Sequence, residues 1–238
     1  MTIAVVSAMH EELAAVLALM PDEHKEVVAG REFWRGHLHG REVVAVLSRI
    51  GKVAAATTAT VLVERFGVER IVFTGVAGGL GPGVKVGDIV VADSFLQHDL
   101  DASPIFPRYE VPLYGQSRFA TDPQLSAQLA AAAKEALPGV TLHRGLVISG
   151  DRFVATTAES RALQLALPEA LAVEMEGAAI AQVCHDYGLP FAAVRTISDR
   201  ADDAAHGDFT RFIQEVASRY SAAIVAALLA PTSASRAS

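Results

Sequence analysis

Three acids and a serine close the apolar runs of one stretch, Ala172 to Asp203, which reads AVEMEGAAIAQVCHDYGLPFAAVRTISDRADD. Glu174 and Glu176 end the first run, and Ser198 and Asp199 end the second, Phe191 to Ile197. A further acid, Glu12, follows the opening apolar run Ile3 to Ala8. Paired carboxylates suit proton transfer, one taking a proton from water while another protonates a leaving group. Burial lets such an acid stay protonated near neutral pH. A glutamate also accepts two hydrogen bonds from a vicinal diol, a grip suited to a sugar. Phe153, after Ser149-Gly150-Asp151, offers a face for a flat base. Residue types alone indicate a hydrolase or transferase acting on a small polar molecule, with sugars among the candidates. Plainer roles exist: Asp199 as a helix cap, and Glu11 as a favourable charge in a first helical turn.

These side chains need elements to hold them at one place. Between the two clusters lies a helix-like segment closed by Gly188 and Pro190, so strand, helix and strand predict a right-handed crossover unit of a parallel sheet. Both clusters would then stand at carboxyl ends of strands, the edge where open α/β sheets bind ligands. Ile3 to Ala8 predicts a first strand, followed by an amphipathic helix through about Met20. Glu32 to Leu38 and Arg41 to Ile50 predict an antiparallel pair around His39-Gly40. A helix is expected from Gly51-Lys52 to about Arg65, and a strand from Val68 to Thr74.

The strand runs into Gly75 to Gly83, expected as a loop whose backbone amides approach a ligand closely. It matches neither the phosphate-loop nor the dinucleotide fingerprint. Val86 to Phe95 and Leu142 to Ser149 predict strands, and Asp122 to Leu137 and Thr156 to Leu167 predict helices. The loop from Leu100 to Gly115 mixes proline with aromatics and is stiff. A last amphipathic helix is expected from about Asp208, carrying Phe209, Phe212, Ile213, Val216 and Tyr220 on one face. The sum is a single α/β domain over 1–230, with a disordered tail over 231–238.

Composition excludes other classes. With 20 basic against 27 acidic residues, net charge −7 and no basic block, a nucleic acid finds little to hold. The apolar run Ala222 to Ala230 is far short of the roughly 20 residues that span a bilayer, so no membrane role is expected. No leader is evident, and the expected location is cytoplasmic. Cys184 is the only cysteine and fits a buried small hydrophobe. His37 and His39 share a strand face without a third ligand nearby, so no metal site is expected.

Seven motifs carry a family resemblance: Ile3-Ala-Val-Val-Ser-Ala-Met-His-Glu-Glu12, Ile50-Gly-Lys-Val-Ala-Ala-Ala56, Thr74-Gly-Val-Ala-Gly-Gly79, Val86-Gly-Asp-Ile-Val90, Ser149-Gly-Asp-Arg-Phe153, Val173-Glu-Met-Glu176 and Arg195-Thr-Ile-Ser-Asp199. In that order, over nearly the whole chain, they resemble the methylthioadenosine/S-adenosylhomocysteine nucleosidases. The resemblance implies a nucleoside-phosphorylase-like fold, a mixed central β-sheet flanked by helices, and cofactor-free hydrolysis of an adenine N-glycosidic bond.

By the same resemblance Asp199 would protonate adenine N7, Glu12 would activate water, and Glu176 would hold the ribose hydroxyls. Phe153 would stack on the base and the backbone of Val154 would read its edge. Met175 would pack beneath the ribose, and Met9, Ile50 and Phe209 would line the pocket for the 5′-thio substituent. Arg195 and Glu174 would support the water and its base, with Gly78 and Ser198 also among the substrate-binding residues. In the loop Asp101 to Tyr109 the apolar Ile105, Phe106 and Tyr109 suit an interface better than solvent. The resemblance points the same way, to a homodimer in which Phe106 or a neighbour caps the partner's 5′ pocket and the proline-stiffened loop favours small substituents. Val76 departs from the family, standing where a serine is usual, and Arg49 is likewise unusual. Two rivals remain at this point: a phosphorylase that uses phosphate, and a protein that binds a nucleoside without turning it over.

Overall fold

A computed structural model describes residues 1–202, 212 and 216–231. The amino-terminal part is a sheet built outward from β1 (Ile3–Ser7), an apolar strand buried along its length. Helix α1 (His10–Leu17) follows it, then the strands β2 (His24–Val28), β3 (Arg31–Leu38) and β4 (Arg41–Leu47). β3 and β4 pair antiparallel as expected from the alternation around His39-Gly40, and β4 lies parallel to β1. β2, antiparallel to β3, escaped the sequence reading because its residues His-Lys-Glu-Val-Val are largely exposed at the sheet edge.

Helix α2 (Lys52–Phe66) ends at Gly67, whose φ of 58° supplies the left-handed cap that stops a helix cheaply. β5 (Arg70–Gly79) then pairs with β1. Next come β6 (Ile89–Gln97), β7 (Arg118–Ala120) and α3 (Pro123–Ala136). α3 starts where Asp122 accepts the Leu125 amide at 2.7 Å, with Pro123 in the first turn. β8 (Leu142–Ser149), α4 (Thr157–Ala166), β9 (Ala170–Glu174), α5 (Gly177–Tyr187), β10 (Phe191–Asp199) and α6 (Ser218–Leu229) complete the described chain.

The ten strands of the described residues belong to one mixed sheet, ordered β10-β6-β8-β9-β5-β1-β4-β3-β2 with β7 beside β6. A further pairing of β10 with β5 closes the first five strands on themselves, so half of the sheet is a small barrel. Two packed layers fill the faces. Phe33, Phe66, Phe73, Phe95 and Phe191 anchor a core under α2 and α5, while on the other face α1 packs on β1 and β4, α3 packs on β6, β8 and β10, and α6 packs against α1 and α3. No described helix is long and apolar enough to cross a membrane.

Two expectations need correction. β9 and β10 do not form a parallel crossover unit: β9 runs antiparallel to β5, whereas β10 runs parallel to it. Gly75 to Gly79 is strand rather than loop, since β5 continues to Gly79. Glycine is used there because neighbouring side chains fill the space that a Cβ would take. The start of the expected last helix near Asp208, with Phe209 and Ile213, and the tail 232–238 lie outside the described residues.

Candidate active site

The polar clusters meet where the barrel closes. Gly78, near the end of β5, pairs with Val173 of β9 on one side and with Asp199 of β10 on the other. Opposed strands therefore deliver Glu174 and Asp199 to the same place, which a shared carboxyl edge does not explain. A Cβ at Gly78 would come within 2.9 Å of the Ala201 Cβ and 3.0 Å of Asp199 Oδ1. A slip in register between Ile197 and Asp199 marks the end of β10, an irregularity of the kind that re-aims side chains at sites.

A cleft of about 380 Å³ opens at this junction. Of the residues expected from sequence, Met9, Ile50, Gly78, Phe153, Val154, Glu174, Met175, Glu176, Ser198 and Asp199 line it. Glu12 and Arg195 do not line it and are fully buried. Phe106 does not line its own chain's cleft, and Phe209 lies outside the described residues. Val76 lines the cleft as an apolar residue packed with Met9, Phe212 and Ala217. Arg152 also lines it, a residue that the sequence reading passed over, but its guanidinium is exposed and paired with Glu159.

Among the described residues Arg195 is the largest fully buried side chain. Its Nη2 donates to Glu174 Oε2 at 2.8 Å, Nη1 donates to the Val194 carbonyl at 3.1 Å, and its Cζ lies 3.8 Å from the centre of the Phe73 ring. Gly75 leaves room for it, because a Cβ there would sit 3.0 Å from Nη1. Glu174 is saturated: it also accepts the Glu176 amide at 3.2 Å, the Gly177 amide at 2.8 Å and the Ser149 hydroxyl. Ser149 in turn accepts the Ala178 amide at 2.8 Å. The start of α5 thus aims its unpaired amides at one carboxylate and at the serine bound to it, which suits the positive end of a helix.

Two other acids lack such compensation. Burial raises the Glu12 carboxyl to about 7, against the opposing pull of the Ser221 hydroxyl and the Arg195 charge. Ser221 donates to Glu12 Oε1 at 3.0 Å and the Met9 amide to Oε2 at 3.1 Å. Burial, reinforced by the Glu174 charge, likewise raises Glu176 to about 7, although its Oε1 accepts the Gly51 amide at 2.9 Å. Asp199 accepts the Ser198 hydroxyl at 2.8 Å on Oδ2 and the Ala201 amide at 2.8 Å on Oδ1. Carboxyls that titrate near neutrality can give or take protons at working pH. Among the described residues no group of three metal-ligating side chains occurs. His37 instead meets Asp22 at 2.7 Å, and burial raises the Cys184 thiol in the α5 interior.

The chain is an α/β protein with a mixed sheet closed into a barrel and buried acids at an apolar cleft, and its residues 2–230 match the model of the Phosphorylase superfamily, which sets its class. Within that superfamily the chain belongs to the 5′-methylthioadenosine/S-adenosylhomocysteine nucleosidase family. It is 38% identical over 232 residues to the nucleosidase of that name from Shewanella denitrificans, covering 96% of this chain and 99% of the relative. The solved structure of the same-named enzyme from Neisseria meningitidis, in complex with methylthio-immucillin-A, superposes with a TM-score of 0.91 at 36% identity, covering 95% and 97% of the two chains. A futalosine hydrolase from Helicobacter pylori is also similar, with a TM-score of 0.88 at 34% identity over 95% and 96%.

The raised carboxyls make a pH prediction. A carboxyl with a folded value near 7 and an ordinary value near 4.5 keeps its proton in the folded state while the unfolded chain has lost it. Its contribution to stability is therefore full below about pH 4.5 and is lost as pH rises toward 7. Glu12→Gln removes that loss. Urea unfolding at about pH 5 and about pH 8 should show a stability decline smaller in the variant than in wild type, by on the order of 2 kcal/mol. Equal declines would contradict the assignment.

Proposed function

We propose that this protein hydrolyses the N-glycosidic bond of 5′-methylthioadenosine, and of S-adenosylhomocysteine, and releases adenine. The observation that carries the proposal is that Glu176 and Asp199, two buried acids from different elements, line a single apolar cleft, with a third, Glu12, buried behind it and accepting the amide of the lining residue Met9. In the proposed reaction Asp199 gives a proton to N7 of adenine as the C1′–N9 bond breaks. Water forms the new bond at C1′ and passes a proton to Glu12, while Glu176 accepts hydrogen bonds from the ribose hydroxyls. Phe153 stacks on the base beside the Val154 backbone, Met175 packs under the ribose, and Met9 and Ile50 take the 5′ substituent. Arg195 acts from behind the wall by holding Glu174. The same reading takes the enzyme to be cytoplasmic, in keeping with its single cysteine as a buried thiol.

A phosphorylase would need a cationic phosphate pocket. Among the described residues the only cation lining the cleft is the outward-facing Arg152, and Arg195 is already spent on Glu174. Phosphate would also meet Glu174 and Glu176, which line the cleft. The hydrolytic reading is therefore favoured over a phosphorylase, and release of adenine separates it from a passive nucleoside binder.

We also propose a homodimer. Ile105 and Leu113 are 83% and 91% exposed in the loop after β6, while Tyr109 packs against its own core. Phe106, half-buried and outside its own cleft, is assigned to the partner's 5′ pocket. Static light scattering at micromolar concentration should give twice the chain mass, and Phe106→Ala should raise KM for methylthioadenosine. A monomer with unchanged KM would refute this assembly.

Incubation with methylthioadenosine, with and without phosphate, should yield adenine and free methylthioribose in both cases. The Asp199→Asn variant should be slower by about 10²–10⁴-fold. Formation of the sugar 1-phosphate would establish a phosphorylase, and release of no adenine would leave a binding protein.

A further inference from the structure

Two segments that border the cleft, at the start of α2 and after β8, are fastened to each other and to the end of β6 by groups that the proposed reaction does not use. Lys52, the first residue of α2, sends its ammonium to Asp99 Oδ1 at 2.6 Å and to Gln97 Oε1 at 3.0 Å, at the end of β6. Its amide donates to Asp151 Oδ1 at 2.7 Å, in the turn after β8. The ring closes where the Asp151 amide donates to Asp99 Oδ2 at 2.8 Å. Gln97 is itself held by Gln182 of α5 at 2.9 Å. The Lys52 side chain is only 16% exposed, so this ion pair is shielded well beyond a usual surface pair. Burial pushes the Asp99 carboxyl up, yet the Lys52 ammonium and the Asp151 amide hold it below its ordinary range.

The residue fixed by this clasp is Gly51. It has a φ of 93°, and a Cβ on it would stand 3.1 Å from Asp151 Oδ1, so it is pressed directly against the ring. Its amide is the donor to Glu176 Oε1 at 2.9 Å. We infer that Lys52, through Asp99 and Asp151, is a positioning residue that holds the Gly51 amide on Glu176 and so sets the carboxylate that grips the ribose. The inference rests on the proposed role of Glu176. A backbone donor can be aimed only by fixing the chain on either side of it, and here the next residue's amide and side chain are both tied down. Catalytic groups held through neighbours are sensitive to displacement: a shift of about 1 Å can cost on the order of 10²-fold.

The test is a double-mutant cycle on binding. Wild type, Lys52→Met, Glu176→Gln and the double variant are titrated calorimetrically with the 7-deaza analogue of methylthioadenosine, which lacks the nitrogen to be protonated. Lys52→Met alone should weaken binding about tenfold or more, and the same change in the Glu176→Gln background should cost less than about threefold. Affinity for adenine alone, which has no ribose, should stay within about twofold in Lys52→Met. Asp99→Asn, nearly isosteric, serves as the second variant if Lys52→Met does not fold, with the same pattern expected. Equal losses in both backgrounds, or no loss in the single variant, would overturn the positioning role. Failure of the hydrolytic reading would appear separately, as wild-type protein that binds the analogue but releases no adenine from methylthioadenosine.

Discussion

A guanidinium removed from water must be paired where it stands, because an isolated charge in a protein interior costs several kcal/mol even after relaxation. Arg195 is such a group, at the centre of the closed half of the sheet. Its requirements propagate outward. Phe73 lies flat beneath it, Gly75 yields the volume it occupies, and Glu174 supplies the counter-charge. Glu174 can be a counter-ion only because the α5 amides and Ser149 satisfy its remaining lone pairs. Removing either member of such a pair typically costs about 3–5 kcal/mol, since the other is left uncompensated. The pair therefore ties β5, β8, β9, β10 and the start of α5 into one unit.

The consequence for chemistry is an unequal sharing of positive charge. Glu174 takes the guanidinium, and the Arg195 charge reaches Glu176 and Glu12 only from a distance. Both acids are left buried with one or two hydrogen bonds each, and both move toward neutrality. Carboxyls in contrasting environments assigned to contrasting tasks are a recurring solution for acid and base chemistry near pH 7. The fold by itself does not choose between phosphate and water as nucleophile, because a fold hosts several reactions. The choice proposed here follows from where the cations are already committed.

Much of this was legible in the chain. The runs ending at Glu174 and Asp199 were recognisable as strands, and nearly all of the described cleft residues expected from sequence do line it. Their meeting was predicted for an incomplete reason: strand direction depends on pairing partners far along the chain, and nothing local shows that β9 opposes β10. The glycines at 75 and 78 looked like a loop because their small size is usually a conformational device. Here it serves the neighbouring Arg195 and Asp199 side chains, which sequence alone does not place alongside. Ser221 and Lys52 were missed for a similar reason, since a serine in an alanine-rich helix and a lysine at a helix start carry no signal until their partners are known.

The central claim is that burial, with the Arg195 charge committed to Glu174, makes Glu12 and Glu176 titrate at about 7, so that each carries its proton at about pH 6 and is an acceptor once it is lost. Difference infrared spectroscopy of the carboxylic acid C=O stretch, comparing wild type with Glu12→Gln and with Glu176→Gln, measures this directly. The account predicts that each variant lacks one protonated carboxyl band that wild type shows at about pH 6 and loses by about pH 8. Wild-type protein with no protonated carboxyl band above about pH 5 would contradict it.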